Sequence, residues 1–112
     1  MEAGVDRTLA ALADPTRRGI VYLLLSQPRR AGEIAEALAA TRPAMSRHLR
    51  VLRRAGVVEE ESLEEDARAR LYRLRREPFA ELRDWLDEVE GFWTDQLQAF
   101  KAHAEAKAGR GR

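Results

Sequence analysis

The segment at residues 41–56 reads TRPAMSRHLRVLRRAG and carries five arginines without a single acidic residue. At a helical spacing of about 100° per residue, Met45, Leu49 and Leu52 fall on one stripe. The remaining surface carries hydroxyl and guanidinium groups. The spacing therefore predicts an amphipathic helix over about 41–55, with its apolar face packed inward and its basic face exposed.

Both ends of this helix carry local signals. Thr41 can serve as the N-cap, Pro43 sits in the first turn where a missing N–H is harmless, and Gly56 is placed to close the helix. The basic face fits the DNA major groove, where arginine pairs with guanine edges and with phosphates. For a basic helix taken alone, the alternative is a solvated charged surface without a ligand. The residues opposite the apolar stripe are Ser46, Arg47, Arg50, Arg53 and Arg54.

The preceding segment favours the DNA-binding interpretation. The sequence AGEIAEALA at 31–39 predicts a short helix with Ile34 and Leu38 on one face. Ala39 and Ala40 then lead into the basic helix. Two short helices joined by a turn of three or four residues, the second of them basic, form a helix-turn-helix.

Two more helices are predicted ahead of this pair. Val5, Leu9 and Leu12 recur at helical spacing, and Asp14-Pro15 supplies an N-cap and a first helical residue for a restart. The helix over 15–25 has too broad an apolar content for a surface helix and is predicted to lie at the centre of the core. Its expected inward residues are Ile20, Val21, Leu23 and Leu24, with Tyr22 as a further candidate.

After Gly56 the pattern changes to alternation. Residues 57–61 and 68–75 predict the two strands of a hairpin, the wing (about residues 57–76) of a winged helix. Tyr72 and Leu74 are expected to point inward.

The arginines near the tip of the wing have two interpretations. Arg68 and Arg70 are placed to reach phosphate or a minor groove. Salt bridges to the glutamates of the facing strand are the alternative, and both remain open.

Pro78 begins a last helix, predicted over about 78–104, in which apolar residues recur at spacings of three and four. This helix is too long and too apolar for a small core to cover, so it predicts an interface, most simply a two-fold homodimer. Residues 108–112 are expected to be a disordered tail, and 1–107 a single domain. The predicted interface consists of Leu9, Leu82, Trp85, Leu86, Val89, Phe92, Trp93, Leu97 and Phe100.

Composition excludes several classes of protein. The 112 residues contain no cysteine, so disulfides and thiolate metal sites are excluded, and a net charge of +1 means that any affinity for nucleic acid must come from local segregation of charge. No apolar run is long enough to span a membrane, and the N-terminus lacks the features of a signal peptide, so a cytoplasmic location is expected. Ser46 and His48 are two residues apart on a helix and point in different directions, so no enzymatic activity is expected.

The chain resembles the ArsR/SmtB family of bacterial winged-helix transcriptional regulators. The resemblance rests on ALADPTRRGIVYLL, on GEIAEALAATRPAMSRHLRVLRRAGVVE and on RARLYRL, with Ser46-Arg47-His48-Leu49 as its most specific motif. It implies a mainly α winged helix-turn-helix that forms a homodimer through its terminal helices and acts as a repressor. The helix at 41–55 would be the recognition helix, with His48 at the edge of the DNA surface, contacting phosphate or packing between helices. The residues implied to face double-stranded DNA are Thr41, Arg42, Pro43, Ser46, Arg47 and Arg50, to which the basic face adds Arg54 and the wing adds Arg68 and Arg70.

The chain departs from the metal-sensing members of that family. Ala35 and Ala37 stand where such sensors carry a cysteine pair, and the two histidines, His48 and His103, do not reproduce the paired ligands of the last helix. We therefore expect neither a metal nor a cofactor. The wing is also unusually acidic, which weakens the case for its contact with phosphate.

Two hypotheses of function follow. The first is a homodimeric repressor that binds an inverted repeat with half-sites about 10 bp or a multiple of this apart. The second is a winged-helix adapter that binds another protein through its aromatic C-terminal helix. In a homodimer, Trp85, Phe92 and Trp93 could line a small-molecule effector pocket at the dimer interface, with simple interface packing as the alternative.

Overall fold

The computed structural model describes the backbone of residues 3–63 and 66–110, and side chains for residues 4–62 and 70–109. Five helices and three strands make up this part of the chain. In chain order they are α1 (Ala3–Leu12), α2 (Pro15–Ser26), β1 (Arg29–Arg30), α3 (Ala31–Ala37), α4 (Arg42–Arg54), β2 (Val58–Leu63), β3 (Asp66–Leu74) and α5 (Glu77–Arg110). The mainly helical fold with a β-hairpin that the sequence predicted is confirmed.

The chain divides into two units, Met1–Glu81 and Leu82–Arg112. The first holds every element from α1 to the first turn of α5, and the second is the rest of α5. None of the described helices combines the length and the apolar character that a membrane-spanning segment requires.

The core of the first unit is built where α2, α3, α4 and the base of the wing meet. Its fully buried side chains include Ile20, Ile34, Leu52 and Val57. Val21 and Leu23 pack partly buried against this cluster, as expected. The further candidate Tyr22 was wrong, since its side chain is 72% exposed. Tyr22 lies about 200° around the helix from Ile20, so the two residues cannot both face the core.

Both helices of the helix-turn-helix end in the same way. At the end of α3, Ala39 has a φ of 52°, and the N–H groups of Ala39 and Ala40 donate to the carbonyls of Glu36 and Ala35. At the end of α4, Gly56 has a φ of 77°, and the N–H groups of Gly56 and Val57 donate to Arg53 and Leu52. These paired bonds around a left-handed residue form the Schellman motif. The predicted closing role of Gly56 is confirmed, and the same geometry at Ala39 fixes the four-residue turn into α4.

The left-handed backbone at Ala39 leads to a prediction about stability. A non-glycine residue in this conformation costs about 1–2 kcal/mol, whereas glycine loses about 0.4–1 kcal/mol through the entropy of the unfolded chain. Ala39→Gly should therefore raise the free energy of unfolding by up to about 1 kcal/mol, measured by urea denaturation with circular dichroism. Ala37→Gly is the control, because in the last turn of α3 it should destabilise by about 0.5–1 kcal/mol. A loss of stability in Ala39→Gly would contradict the argument.

The sheet has three strands in the order β1-β3-β2, all antiparallel. The wing corresponds to the predicted hairpin, although β2 begins one residue later and reaches Leu63. The sequence did not predict β1, in which Arg29 pairs with Tyr72 and Arg30 with Leu71. The inward placement of Tyr72 and Leu74 is as predicted, since both pack partly buried against the core.

Helix α5 is longer than predicted. It begins at Glu77, with Pro78 in its first turn, and continues to Arg110 rather than ending near residue 104. The predicted disordered tail at 108–112 therefore overlaps the helix at 108–110, because alanine, lysine and arginine in AEAKAGR are good helix formers. Residues 111–112 lie outside the described residues. A single domain over 1–107 stays a prediction.

Candidate nucleic-acid interface

Helix α4 presents its basic face because its apolar face is fixed. Thr41 is the N-cap, and its hydroxyl oxygen accepts a hydrogen bond from the N–H of Ala44 at 3.3 Å. Met45, Leu49 and Leu52 are buried in the core. The rotation of the helix is therefore set, and the opposite face is turned to solvent. The predicted residues that the structure places on the surface are Thr41, Arg42, Pro43, Ser46, Arg47, Arg50 and Arg54.

Salt bridges divide the five arginines of α4 into two groups. Within the described part of the chain, Arg42, Arg47, Arg50 and Arg54 take part in no salt bridge, whereas Arg53 binds Glu60. The four arginines without a salt bridge are exposed, and no described acidic side chain pairs with them. A rigid helix with four such arginines is a site for a polyanion.

His48 has a different environment from its neighbours on α4. Its ring is half-buried, and its Nδ1 lies 3.3 Å from Nη1 of Arg17 on α2. Because a guanidinium can only donate, Nδ1 of His48 acts as the acceptor. Arg17 also donates from Nε to the carbonyl of Ala11 at 2.6 Å, and so caps the C-terminus of α1. His48 therefore packs between helices and, through Arg17, links α4 to α1 and α2.

A groove lies between α3, α4, β1 and β3, with a volume of about 700 Å³. Its walls bring Arg42 and Ser46 of α4 together with Arg70 of the wing. Arg30 also lines it, and sequence reasoning missed this residue. A strand of two residues shows no alternation, so no pattern could have placed Arg30 beside α4.

In the wing, Arg70 and Arg73 bind glutamates. Glu60 accepts hydrogen bonds from Nη1 of Arg53 at 2.8 Å, from the hydroxyl of Tyr72 at 3.0 Å and from Arg70. Arg73 binds Glu61 on the other face of the hairpin. Of the two interpretations of Arg70, the structure thus contains the salt bridge. The side chain of Arg68 lies outside the described residues.

The Glu60 carboxyl has a shifted pKa. Burial works to raise it, but the hydrogen bonds from Tyr72 and Arg70 and the charges of Arg70 and Arg53 prevail, so the pKa lies below its ordinary value of 4.5. Burial and the hydrogen bond to Glu60 raise the pKa of the Tyr72 phenol above 10.0. Each group therefore favours the ionisation state that the hydrogen bond needs at neutral pH.

This shift predicts a pH dependence of stability. A carboxyl whose pKa is lowered by folding stabilises the fold above its unfolded pKa, and the contribution disappears as the pH falls through the folded pKa. The free energy of unfolding should be greater for the protein than for its Glu60→Gln variant. This difference should have its full size above pH 4.5 and shrink progressively below it. Urea denaturation at a series of pH values measures this difference. Glu59→Gln is the control, because Glu59 is half-exposed and 4.0 Å from Arg73, and its difference should be smaller at every pH. A difference for Glu60→Gln that does not change with pH would contradict the prediction.

In the second unit, α5 presents a stripe of exposed apolar side chains. Trp93 is 62% exposed and Phe100 is 72% exposed, and the rings of Phe92 and Trp93 are in edge-to-face contact at 6.5 Å between centroids. An apolar stripe of this size on one helix marks an interaction surface. Its exposed members are Leu86, Val89, Phe92, Trp93, Leu97 and Phe100.

Among the described residues, no three histidine, aspartate or glutamate side chains are gathered in a way that could hold an ion. Ala35, one of the two alanines considered above, is buried in the core.

These features define a class of protein. A short helix, a turn and a basic exposed helix, followed by a two-stranded wing, form a winged helix-turn-helix, in which the second helix of the pair is the DNA-reading element. Comparison with known proteins agrees. The model of bacterial regulatory proteins of the arsR family matches residues 14–60, from the N-cap of α2 to the glutamate that binds Arg53.

The similarity extends well beyond those residues. The chain is 41% identical over 95 residues to the HTH-type transcriptional regulator Rv2034 of Mycobacterium tuberculosis, covering 85% of this chain and 83% of that protein. It is 39% identical over 54 residues to the transcriptional repressor SdpR of Bacillus subtilis, covering 48% of this chain and 60% of that protein. An ArsR-like transcriptional regulator from Rhodococcus sp. RHA1 has a similar structure, with a TM-score of 0.77 and 28% identity over 88% of this chain and 91% of that one. The protein belongs to the ArsR family, and it is a DNA-binding transcriptional regulator rather than an enzyme.

Proposed function

We propose that the protein is a homodimeric repressor that binds an inverted-repeat operator, with α4 of each protomer in the major groove. The observation that carries this proposal is the basic face of α4. It holds four exposed arginines that form no salt bridge within the described part of the chain, on a helix whose opposite side is buried. No other described helix has this distribution of charge.

The exposed residues divide into two roles. The base edges would be read by Ser46, Arg47 and Arg50. Arginine binds O6 and N7 of guanine, and a serine hydroxyl can bind the edge of either guanine or adenine. The start of α4 and its basic C-terminal end would instead contact phosphates and fix the register of the protein on the duplex. The phosphate contacts are assigned to Thr41, Arg42, Pro43 and Arg54, with His48, Arg68 and Arg70 at the margin of the interface.

The apolar stripe of α5 supports a second copy of this chain as the partner. Its exposed aromatic and aliphatic side chains would lose their contact with water in a two-fold pair, the commonest closed arrangement of soluble proteins. Leu9 of α1, which is 38% exposed, would join the same interface. Two recognition helices related by a two-fold axis require an operator with the same symmetry, and half-sites about one helical turn apart.

Repression is proposed because of the similarity to SdpR, which is named a transcriptional repressor. A dimer bound across a promoter would block transcription by occupying the site. This mechanism needs no ligand, so the protein could repress without an effector.

Selection of binding sites from random duplex DNA tests the proposal. An enriched inverted repeat, followed by anisotropy titrations that show steep loss of affinity with salt, is the expected result. Binding without an enriched sequence would refute operator recognition. A monomer in light scattering would refute the homodimer and favour a different protein as the partner of α5.

A further inference from the structure

We propose that Glu60 restrains non-specific DNA binding: its carboxylate offsets one of the two positive charges carried by an arginine of α4 and an arginine of the wing, and so lowers the affinity for DNA of any sequence. This inference rests on the proposed function, because it requires that the basic face of α4 meet phosphates.

The contacts of Glu60 occupy both of its carboxylate oxygens. Oε2 accepts from Arg53 at 2.8 Å and from Tyr72 at 3.0 Å, and Oε1 accepts from Arg70. The Glu60 side chain is only 14% exposed, whereas those of Arg53 and Arg70 are 48% and 52% exposed. The two guanidinium groups thus lie at the surface, with their shared counter-charge held beneath them.

Both arginines lie on the surface that is proposed to meet DNA. Arg53 follows Ser46 by seven residues and Arg50 by three, which places it on the same face of α4. Arg70 lines the groove that also contains Arg42 and Ser46. With Glu60 ionised, this group of three carries a net charge of +1, and without it the charge would be +2.

The position of Glu60 in its strand is unusual for a carboxylate. It pairs with Tyr72 and lies on the same face of the hairpin as Val58, which pairs with Leu74. This is the face that packs against the core. A glutamate there is partly buried at the point where the wing meets α4, and it retains its charge because two arginines and a phenol bind it.

Charge at this position acts on DNA of every sequence. Phosphates recur at every base pair, so an additional positive charge strengthens binding to every sequence, whereas contacts to base edges distinguish one sequence from another. A regulator meets roughly 10⁶–10⁹ competing sites before it reaches its operator. By offsetting one charge beside the reading face, Glu60 weakens binding to those competing sites, while the preference for the operator comes from the base contacts.

The test compares the protein with Glu60→Gln, whose amide has nearly the size of the carboxylate and can still accept from Tyr72. Anisotropy titrations use the duplex enriched by site selection and a scrambled duplex of equal length, over a range of salt concentrations. In a plot of the logarithm of the binding constant against the logarithm of the salt concentration, the slope for Glu60→Gln should be steeper than that for the unsubstituted protein. The expected difference in slope is about 1–2 for a dimer. Affinity for the scrambled duplex should rise roughly 3–10-fold at low salt, and affinity for the enriched duplex should rise by a similar factor, because the added charge does not read sequence.

Glu59→Gln is the matched control, because it makes the same change of charge on the opposite face of the same strand. Its slope should change by less than half as much. If Glu60→Gln instead gives an unchanged or shallower slope, or weakens binding to both duplexes equally, the inference is overturned and Glu60 only supports the fold.

A second variant covers a failure to fold. If circular dichroism shows Glu60→Gln to be unfolded, Glu60→Met takes its place, because its side chain has a similar length and suits the apolar face of Val58 and Leu74. The expected slope is the same. A wild-type protein with no preferred sequence would refute the proposed function, whereas the slopes measured on the scrambled duplex would still decide the role of Glu60.

Discussion

Replacing Trp93 and Leu97 together by glutamate is expected to convert the protein into a monomer and to weaken its binding to the operator by roughly 10²–10⁴-fold. Both side chains are prominent in the exposed stripe of α5, at 62% and 65% exposure. A carboxylate at the centre of an apolar interface must be desolvated without a partner, which strongly opposes association. Two half-sites would then be bound independently, so the gain from simultaneous binding is lost.

The control places the same two charges on the far side of the helix. Gln98 and Ala102 are exposed and lie roughly 140–180° around α5 from Trp93 and Phe100. Gln98→Glu/Ala102→Glu should leave the dimer intact and reduce DNA affinity only through the change in net charge. Light scattering gives the oligomeric state, and anisotropy gives the affinity for the selected duplex. A Trp93→Glu/Leu97→Glu protein that remains a dimer would exclude this face of α5 as the interface.

The second large effect is expected at the reading face. Arg47→Ala/Arg50→Ala should weaken binding to the operator by roughly 2–6 kcal/mol and relax sequence preference at the base pairs that these residues contact. Each arginine is exposed and, among the described residues, forms no salt bridge. Its guanidinium group is therefore free to bind DNA, and the substitution removes that contact. Neither is part of the core, so the melting temperature of the variant should remain close to that of the parent protein.

The control for this variant removes two arginines that are already neutralised. Arg73 is bound to Glu61, and Nε of Arg75 lies 3.7 Å from Glu77. Arg73→Ala/Arg75→Ala removes the same charge as the α4 variant but should change operator affinity far less and leave sequence preference intact. Equal losses in the two variants, with unchanged preference in both, would show that Arg47 and Arg50 do not read bases.

The fold of the helix-turn-helix could be predicted because its signals are local. The Thr41 hydroxyl, Gly56 and the stripe of Met45, Leu49 and Leu52 each act within one or two turns of the chain, and each behaves as predicted. Asp14 is a further example, since its carboxylate accepts hydrogen bonds from the N–H groups of Thr16 and Arg17 at the start of α2. Such contacts depend on sequence separation alone.

The strand pairing and register of the sheet could not be predicted from the sequence. The pairing of Arg29 with Tyr72 joins residues that are far apart in the chain, and two residues are too few to show a period. The partners of Glu60 depend on the register of the hairpin, since a shift by one residue would turn this carboxylate to the opposite face. Sequence reasoning identified an acidic wing, but it could not show which glutamate binds Arg53.

The candidate site was likewise predictable where it depends on local signals and not where it depends on packing between distant elements. The exposure of Arg42, Arg47 and Arg50 follows from the periodicity of α4. The contact between His48 and Arg17 required the packing of α2 against α4. Contact with DNA by any of these residues stays a prediction until it is measured.

The short strand β1 has a mechanical consequence. It ends at Arg30, and α3 begins at the next residue, so no loop separates β1 from the first helix of the helix-turn-helix. Since β1 pairs with the central strand β3, α3 is tied closely to the sheet. Gln27 and Pro28, the two residues between α2 and β1, form a connector whose length cannot change without breaking the pairs with Tyr72 and Leu71. A force applied to the wing would therefore be transmitted to α3 rather than absorbed by a loop. The wing and the helix-turn-helix would then move together, as one rigid group, on a bent or a straight duplex.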